Sequence, residues 1–182
     1  MKEGTILQSF DARDGKRVTL RAPRWGDLDD FLHLINSLVE EKAMIIINEK
    51  QTRDSEVGWI SQLLSGVERD KIVALIAEVD GRLVGSCEIT PKKGYLAHLG
   101  SLGISLLDGY RDIGIGQEMT LEAEKQARRL GVEVVELEVF AANARAIHVY
   151  EKVGYKVTGR IPDAIKRGGE YFDSLIMVKR IS

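Results

Sequence analysis

Leu106-Leu107-Asp108-Gly109-Tyr110-Arg111-Asp112-Ile113-Gly114-Ile115-Gly116 leads from an apolar strand pattern through a glycine-bearing loop into a helical pattern. Such a loop leaves backbone N–H groups without partners at a helix N-terminus. With the positive end of the helix dipole, they form a site for a phosphate or pyrophosphate. The loop is not a Walker A motif: Gly109 and Gly114 have its gap, but Ile115 stands where the lysine must be. It also departs from the dinucleotide fingerprint, because Met119 holds the third glycine position. Glu136 nevertheless lies about where a ribose-binding acid belongs. On these residues alone a phosphate-bearing ligand, a dinucleotide and a plain turn all stay open.

Two spacings narrow the choice. Arg111-x-x-Gly114-x-Gly116 matches a pyrophosphate loop of the form Q/R-x-x-G-x-G/A, and about thirty residues later Asn143-x-x-Ala146-x-x-x-Tyr150-x-x-x-Gly154-Tyr155 matches N-x-x-A-x-x-x-Y-x-x-x-G-F/Y. In that order the chain resembles the GNAT superfamily of N-acetyltransferases, more weakly from about Val18 to Ile181. The resemblance implies acetyl-CoA as cofactor. Its pantetheine would add like another strand beside Ile104, Ser105 and Leu106. Its pyrophosphate would lie on the amides of Arg111, Asp112, Ile113, Gly114, Ile115, Gly116 and Gln117.

Acetyl transfer needs a held thioester, a deprotonated amine and a proton for the leaving thiolate. The matched position of Tyr150 implies a hydroxyl beside the sulfur that protonates the thiolate; without the motif, Tyr150 reads as packing on an apolar helix face. An ordinary phenol titrates at about 10 and a thiol at about 8.5, so proton sharing is feasible. Asn143 matches a cofactor-bonding position and is also a helix N-cap by type. Arg111 reads equally as a solvated loop charge. For the base there are two candidates: His98, on the strand leading to the loop, and Glu88, on the strand before it. His33 and His148 read as surface residues. No His, Cys and carboxylate set has metal-ligand spacing, and no G-x-S-x-G elbow appears. The loop Ile161 to Glu170 and the first two helices are expected to line the acceptor side, where Glu170 and Asp173 are candidate attractors of an amine.

The reading is therefore an acetyl-CoA-dependent N-acetyltransferase acting directly on a primary amine: a small amine, an amino acid or a protein N-terminus. A coenzyme-A-binding module without catalysis is the alternative, and a dinucleotide-binding oxidoreductase a third. The direct route uses no covalent intermediate, which leaves Cys87 as a small buried strand residue.

The elements that must position these groups follow from periodicity. Strands are expected at Thr5 to Phe10, Lys16 to Arg21, Ile72 to Val79, Leu83 to Thr90, Tyr95 to Leu107, Val132 to Phe140, Lys156 to Gly159 and Tyr171 to Lys179. Helices are expected from an Asp27 cap with Leu28, Phe31, Leu32, Ile35, Leu38 and Val39 on one stripe, and from an Asp54 or Ser55 cap with Val57, Ile60, Leu64 and Val67. Two more follow the glycine loop and Asn143. The first buries Ile115, Met119, Ala123, Ala127 and Leu130. The second buries Ala146, Val149, Tyr150 and Val153. The order gives an α/β chain with a twisted mixed sheet of about six to seven strands flanked by about four helices.

At 182 residues this reads as one domain, 1–182, with 44% apolar and 30% charged residues, an ordinary globular mix. A net charge of −2 without a basic block argues against nucleic acid. No apolar run is long enough for a membrane span and no signal peptide is evident. With Cys87 the only cysteine, no internal disulfide forms, which fits a reducing cytoplasm. An amine-bearing small molecule or peptide is the expected partner, and a homodimer stays open.

Overall fold

A computed structural model describes residues 1–182. The strands are β1 (Ile6–Asp11), β2 (Arg17–Arg21), β3 (Val73–Val79), β4 (Arg82–Pro91), β5 (Leu99–Leu106), β6 (Val134–Phe140), β7 (Lys156–Arg167) and β8 (Glu170–Arg180). The helices are α1 (Leu28–Glu40), α2 (Arg53–Glu68), α3 (Ile115–Arg129) and α4 (Ala144–Lys152). One sheet of eight strands results, in the order β1-β2-β3-β4-β5-β6-β8-β7. That is one strand more than the upper expectation. β7 is also longer than expected: the segment read as a polar loop after Gly159 continues as strand to Arg167, interrupted by register shifts between Val157 and Gly159 and between Ile161 and Ile165. These bulges break the alternation that marks a strand in sequence.

Two apolar layers cover the sheet. α1 and α2 bury Phe31, Leu34, Ile60 and Leu64 against Ala74 and Ile76 of β3. α3 and α4 bury Ile115, Met119, Ala123, Ala127 and Tyr150 against Leu75, Cys87, Ile89 and Leu137. A fully buried aliphatic side chain contributes about 1.5–3 kcal/mol, so the α3 stripe fixes the helix under the loop that precedes it. In α1 it is Leu34 that turns inward, with Leu32 and Ile35 partly exposed.

Asp27 does not cap α1 through its side chain. It is buried and holds the Arg21 guanidinium with two bonds of 2.7 and 2.8 Å, while its carboxylate also accepts from the Arg24 amide at 2.8 Å. This pair pins the start of α1 to β2. α2 is capped by Thr52, whose hydroxyl accepts from the Ser55 amide at 3.2 Å, rather than by Asp54 or Ser55. The β5 strand starts at Leu99, four residues later than Tyr95, because Gly94 to Leu96 form a single 3-10 turn. No helix is long and apolar enough to cross a membrane.

One pairing shapes everything that follows. β5 and β6 are the only parallel neighbours, and they pair only at Leu99–Val134, Gly100–Val135 and Ser101–Glu136. β4 stays paired with β5 as far as Leu106, and β6 stays paired with β8 as far as Phe140. From Leu102 on, β5 and β6 splay apart, and the sheet opens into a wedge.

Candidate active site

The wedge is the floor of a cleft of about 1350 Å³. Residues from both alternating sets of β5 line it: Leu102, Ile104 and Leu106 from the α3 side, and Ser101, Gly103 and Ser105 from the α1 side. The cleft therefore passes through the sheet and joins its two faces. The expected cofactor strand, Ile104 to Leu106, stands on this open edge.

At the end of β5 the chain turns into α3. Asp112 and Gly114 both take positive φ, 63° and 96°, and Gly114 is the N-cap residue of α3. No side chain caps this helix, so its first-turn amides face the loop without protein partners. Gly114, Gly116 and Gln117 line the cleft. Ile115 instead is fully buried in the core, and Ile113 packs against it, so neither side chain lines the cleft. A Cβ on Gly116 would sit 3.3 Å from a Leu106 methyl, which shows how closely the loop folds on the strand end.

The Arg111 side chain is engaged within the chain. Its guanidinium donates to the Leu106 carbonyl at 3.0 and 2.9 Å and pairs with Glu41 at the end of α1. It buttresses the end of β5 rather than reaching out freely. Asp112 pairs with Arg145 of α4 at 3.3 Å, which links the loop to the opposite wall. Arg13, in the β1–β2 turn, was not anticipated. Its amide donates to the Ile113 carbonyl at 3.0 Å, and its guanidinium lies 3.9 Å from where a Gly114 Cβ would stand.

Asn143 caps α4: its side-chain oxygen accepts from the Ala146 amide at 3.1 Å, and the residue lines the cleft. Tyr150 follows on the inward face of α4, 9% exposed, its ring 5.9 Å from the Tyr155 ring in an edge arrangement. Burial, with the neighbouring Cys87, pushes its phenol above the ordinary range, so it holds its proton.

The two base candidates separate. Glu88 lines the cleft from β4, on the α1 side of the sheet, and burial alone pushes its carboxyl up to about 7. His98 is exposed in the turn before β5, and the cleft begins only at Ser101. It sits at the far end of the strand from the glycine loop, so the structure does not bring it together with Tyr150. Cys87, next to Glu88, points the other way, into the core under α3, and burial pushes its thiol up.

The acceptor wall also differs from expectation in part. α1, α2 and the segment between them do line the cleft, through Phe31, Leu34, Ile45 and Trp59 among others. The stretch from Ile161 to Glu170 does not. Asp173 is bound to Arg160 and to the Asp163 amide (2.9 Å), outside the cleft, and Glu170 is exposed on the β7–β8 hairpin. At the tip of that hairpin Arg167 donates to the carbonyls of Lys42 and Ala43 (3.2 Å for Ala43), closing a bridge to the α1–α2 segment. Glu56, Trp59 and Glu138 also face the cleft, and sequence periodicity had not marked them.

The family described as "Acetyltransferase (GNAT) family" matches residues 35–155. The L-amino acid N-acetyltransferase AaaT of Escherichia coli is 31% identical over 114 residues, 62% of this chain and 70% of that protein. The fold is that of the ribosomal-protein-alanine N-acetyltransferase from Brucella melitensis, with a TM-score of 0.79 at 24% identity over 88% of this chain and 98% of that one. It is likewise that of a phosphinothricin acetyltransferase from Sinorhizobium meliloti solved in complex with AcCoA, with a TM-score of 0.79 at 16% identity over 90% and 88%.

Proposed function

The chain belongs to the acetyltransferase (GNAT) family, and from that premise we propose direct acetyl transfer to a primary amine, with Glu88 taking the amine proton and Tyr150 protonating the departing thiolate. It is an N-acetyltransferase that uses acetyl-CoA, which supplies the thioester. The residues present suit that cofactor: an unpaired strand edge for its amides and an uncapped helix N-terminus for its phosphates. The whole chain, 1–182, serves as one such domain.

The observation that carries the residue assignment is that Glu88 and Tyr150 line one cleft from opposite faces of the sheet, with the open edge of β5 between them. An amine arriving on the α1 side meets Glu88. A carboxylate raised toward 7 is a stronger base than an ordinary one and is still ionised at neutral pH in a useful fraction. The thiolate forms on the α4 side, where the phenol of Tyr150 keeps a proton to give. The bond between acetyl carbon and sulfur breaks as the bond to nitrogen forms; an ammonium acceptor loses two protons, one to Glu88 and one to solvent, while Tyr150 gives one to sulfur and regains one from solvent, so that with Glu88 reset one proton is released per turnover.

The acceptor is a small amine, an amino acid or a protein amino terminus. Thiol release from acetyl-CoA against a panel of these, together with mass analysis of the product, tests the reading. Acetylated amine with no acetyl group on the protein supports it; a competent acetyl adduct on Cys87 overturns direct transfer.

A further inference from the structure

Glu56 is the charged group that the scheme above leaves without a task. It lies in the first turn of α2, 6% exposed, and lines the cleft. Its carboxyl is raised from the ordinary range, and desolvation is the cause. A carboxylate so largely removed from water and without a partner in the chain is expected to gain from a cation or donors beside it. The α2 N-terminus offers only part of that compensation.

Two aromatic residues line the same cleft. Trp59 lies one turn along the same helix and packs edge-on against Phe31 of α1, with ring centroids 5.0 Å apart and planes at 70°. A carboxylate beside aromatic faces is a setting that attracts an ammonium twice, by charge and by the ring quadrupole.

At the glycine-loop end of the cleft stand Arg13, Arg111 and Arg145, of which Arg111 pairs with Glu41 and Arg145 with Asp112. The acceptor end holds Glu56, Glu88 and Glu138, and Glu138 takes only the Ser174 hydroxyl, at 3.4 Å. Lys42 is exposed at its rim. Glu56 enters the cleft from α2 and Glu88 from β4, so the lining offers two carboxylates from two different elements.

Resting on the acetyl-transfer reading, we propose that the acceptor is a diamine: one amine is acetylated at Glu88 while the second, still cationic, is held by Glu56 against Trp59 and Phe31. An acceptor with a carboxylate in place of the second amine would face the same acidic groups and be disfavoured.

The test compares α,ω-diamines of graded length with the alkylamine of the same carbon number, by kcat/KM from thiol release. The best diamine should exceed its monoamine by about tenfold or more, the scale of one desolvated cation contact. Glu56→Gln should bring that ratio close to one, and Trp59→Leu should lower it several-fold, with the melting temperature checking that each variant is folded. A wild-type ratio near one overturns the proposal. So does a Glu56→Gln variant that loses thermal stability but keeps the ratio, since that is what a purely helix-capping charge would do. Should no amine release thiol, acetyl transfer itself fails as a reading, and calorimetry of the diamine into coenzyme-A-loaded protein still decides the second seat. Binding that Glu56→Gln abolishes supports it, and no binding overturns it.

Discussion

Glu88 stands directly opposite Gly103 in the antiparallel register of β4 and β5. A Cβ built on Gly103 would meet nothing within 4 Å, so the space beside the carboxylate is open cleft. Gly103→Val should therefore fold as well as the parent, since a β-branched residue suits a strand. Its methyl groups would occupy the place where an amine must approach. The expected result is a KM for the acceptor raised by tenfold or more, with acetyl-CoA affinity little changed and the melting temperature equal or higher. An unaltered acceptor KM would put the amine elsewhere.

The raised carboxyl of Glu88 sets a pH dependence with a definite sign. Protonated, it cannot take a proton, so kcat/KM should climb about tenfold per pH unit below about 7 and level off above it. Glu88→Gln should abolish this limb and lower kcat by roughly 10²–10⁴. Stability should move the other way. The folded chain binds the Glu88 proton more tightly than the unfolded chain does, so Glu88 costs stability as pH rises from about 4.5 to about 7. At pH 8 the Gln variant should be the more stable by about 1–3 kcal/mol, and at pH 4 the two should match. Denaturant melts at both pH values measure this difference.

Tyr150→Phe removes the proton donor and keeps the ring against Tyr155. Stability should change by no more than about 1 kcal/mol, the worth of an ordinary hydrogen bond. The kcat should fall by roughly 10²–10⁴ while the Kd for acetyl-CoA stays within a few-fold. Near-normal kcat under conditions where chemistry is rate-limiting would reduce Tyr150 to a packing residue.

Gly114 holds φ at 96°, in the left-handed region, where a β-branched residue is strained by roughly 1–2 kcal/mol. Gly114→Val should weaken acetyl-CoA binding and lower the melting point together. Gly116→Ala should be milder, because its Cβ meets only the flexible ends of Leu106 and Ile104, at 3.3 and 3.8 Å. Calorimetric titration of both variants separates anion obstruction from backbone strain. Equal affinities in the parent and the Val variant would place the phosphates away from this loop.

Cys87→Ala should retain turnover, since the thiol faces the core and not the cleft. The lost sulfur leaves a small void, at a cost of about 1–2 kcal/mol. Activity that vanishes in a folded Cys87→Ala protein would reopen a covalent route.

The sequence revealed what local chemistry determines. The α3 stripe of Ile115, Met119, Ala123 and Ala127 is wholly buried, and Asn143 caps α4 as its type suggests. What escaped depends on contacts between distant parts of the chain. Asp27 has the composition of a cap, but Arg21 captures it. Arg13 meets Ile113 across a hundred residues of chain, and no spacing records that. Glu56 reads as a solvent-facing first-turn residue of α2, yet in the fold it is buried at the cleft wall. His98 was expected on the strand that leads to the loop, but β5 starts one residue after it. The eight residues of β5, however, put roughly 25 Å of extended chain between its two ends, and His98 precedes the wrong one.

Beyond Ser101, one side of β5 carries peptide groups for which the chain supplies no neighbouring strand. A ligand that pairs with them binds the folded chain and not the unfolded one, and so raises its stability by RT ln(1 + [L]/Kd), about 2.7 kcal/mol at a hundredfold excess over Kd. In a protein whose total stability is of the order of 10 kcal/mol, that is a sizeable share. A chain whose sheet is completed by such a ligand opens less often, so limited proteolysis of the purified protein should slow as acetyl-CoA is added.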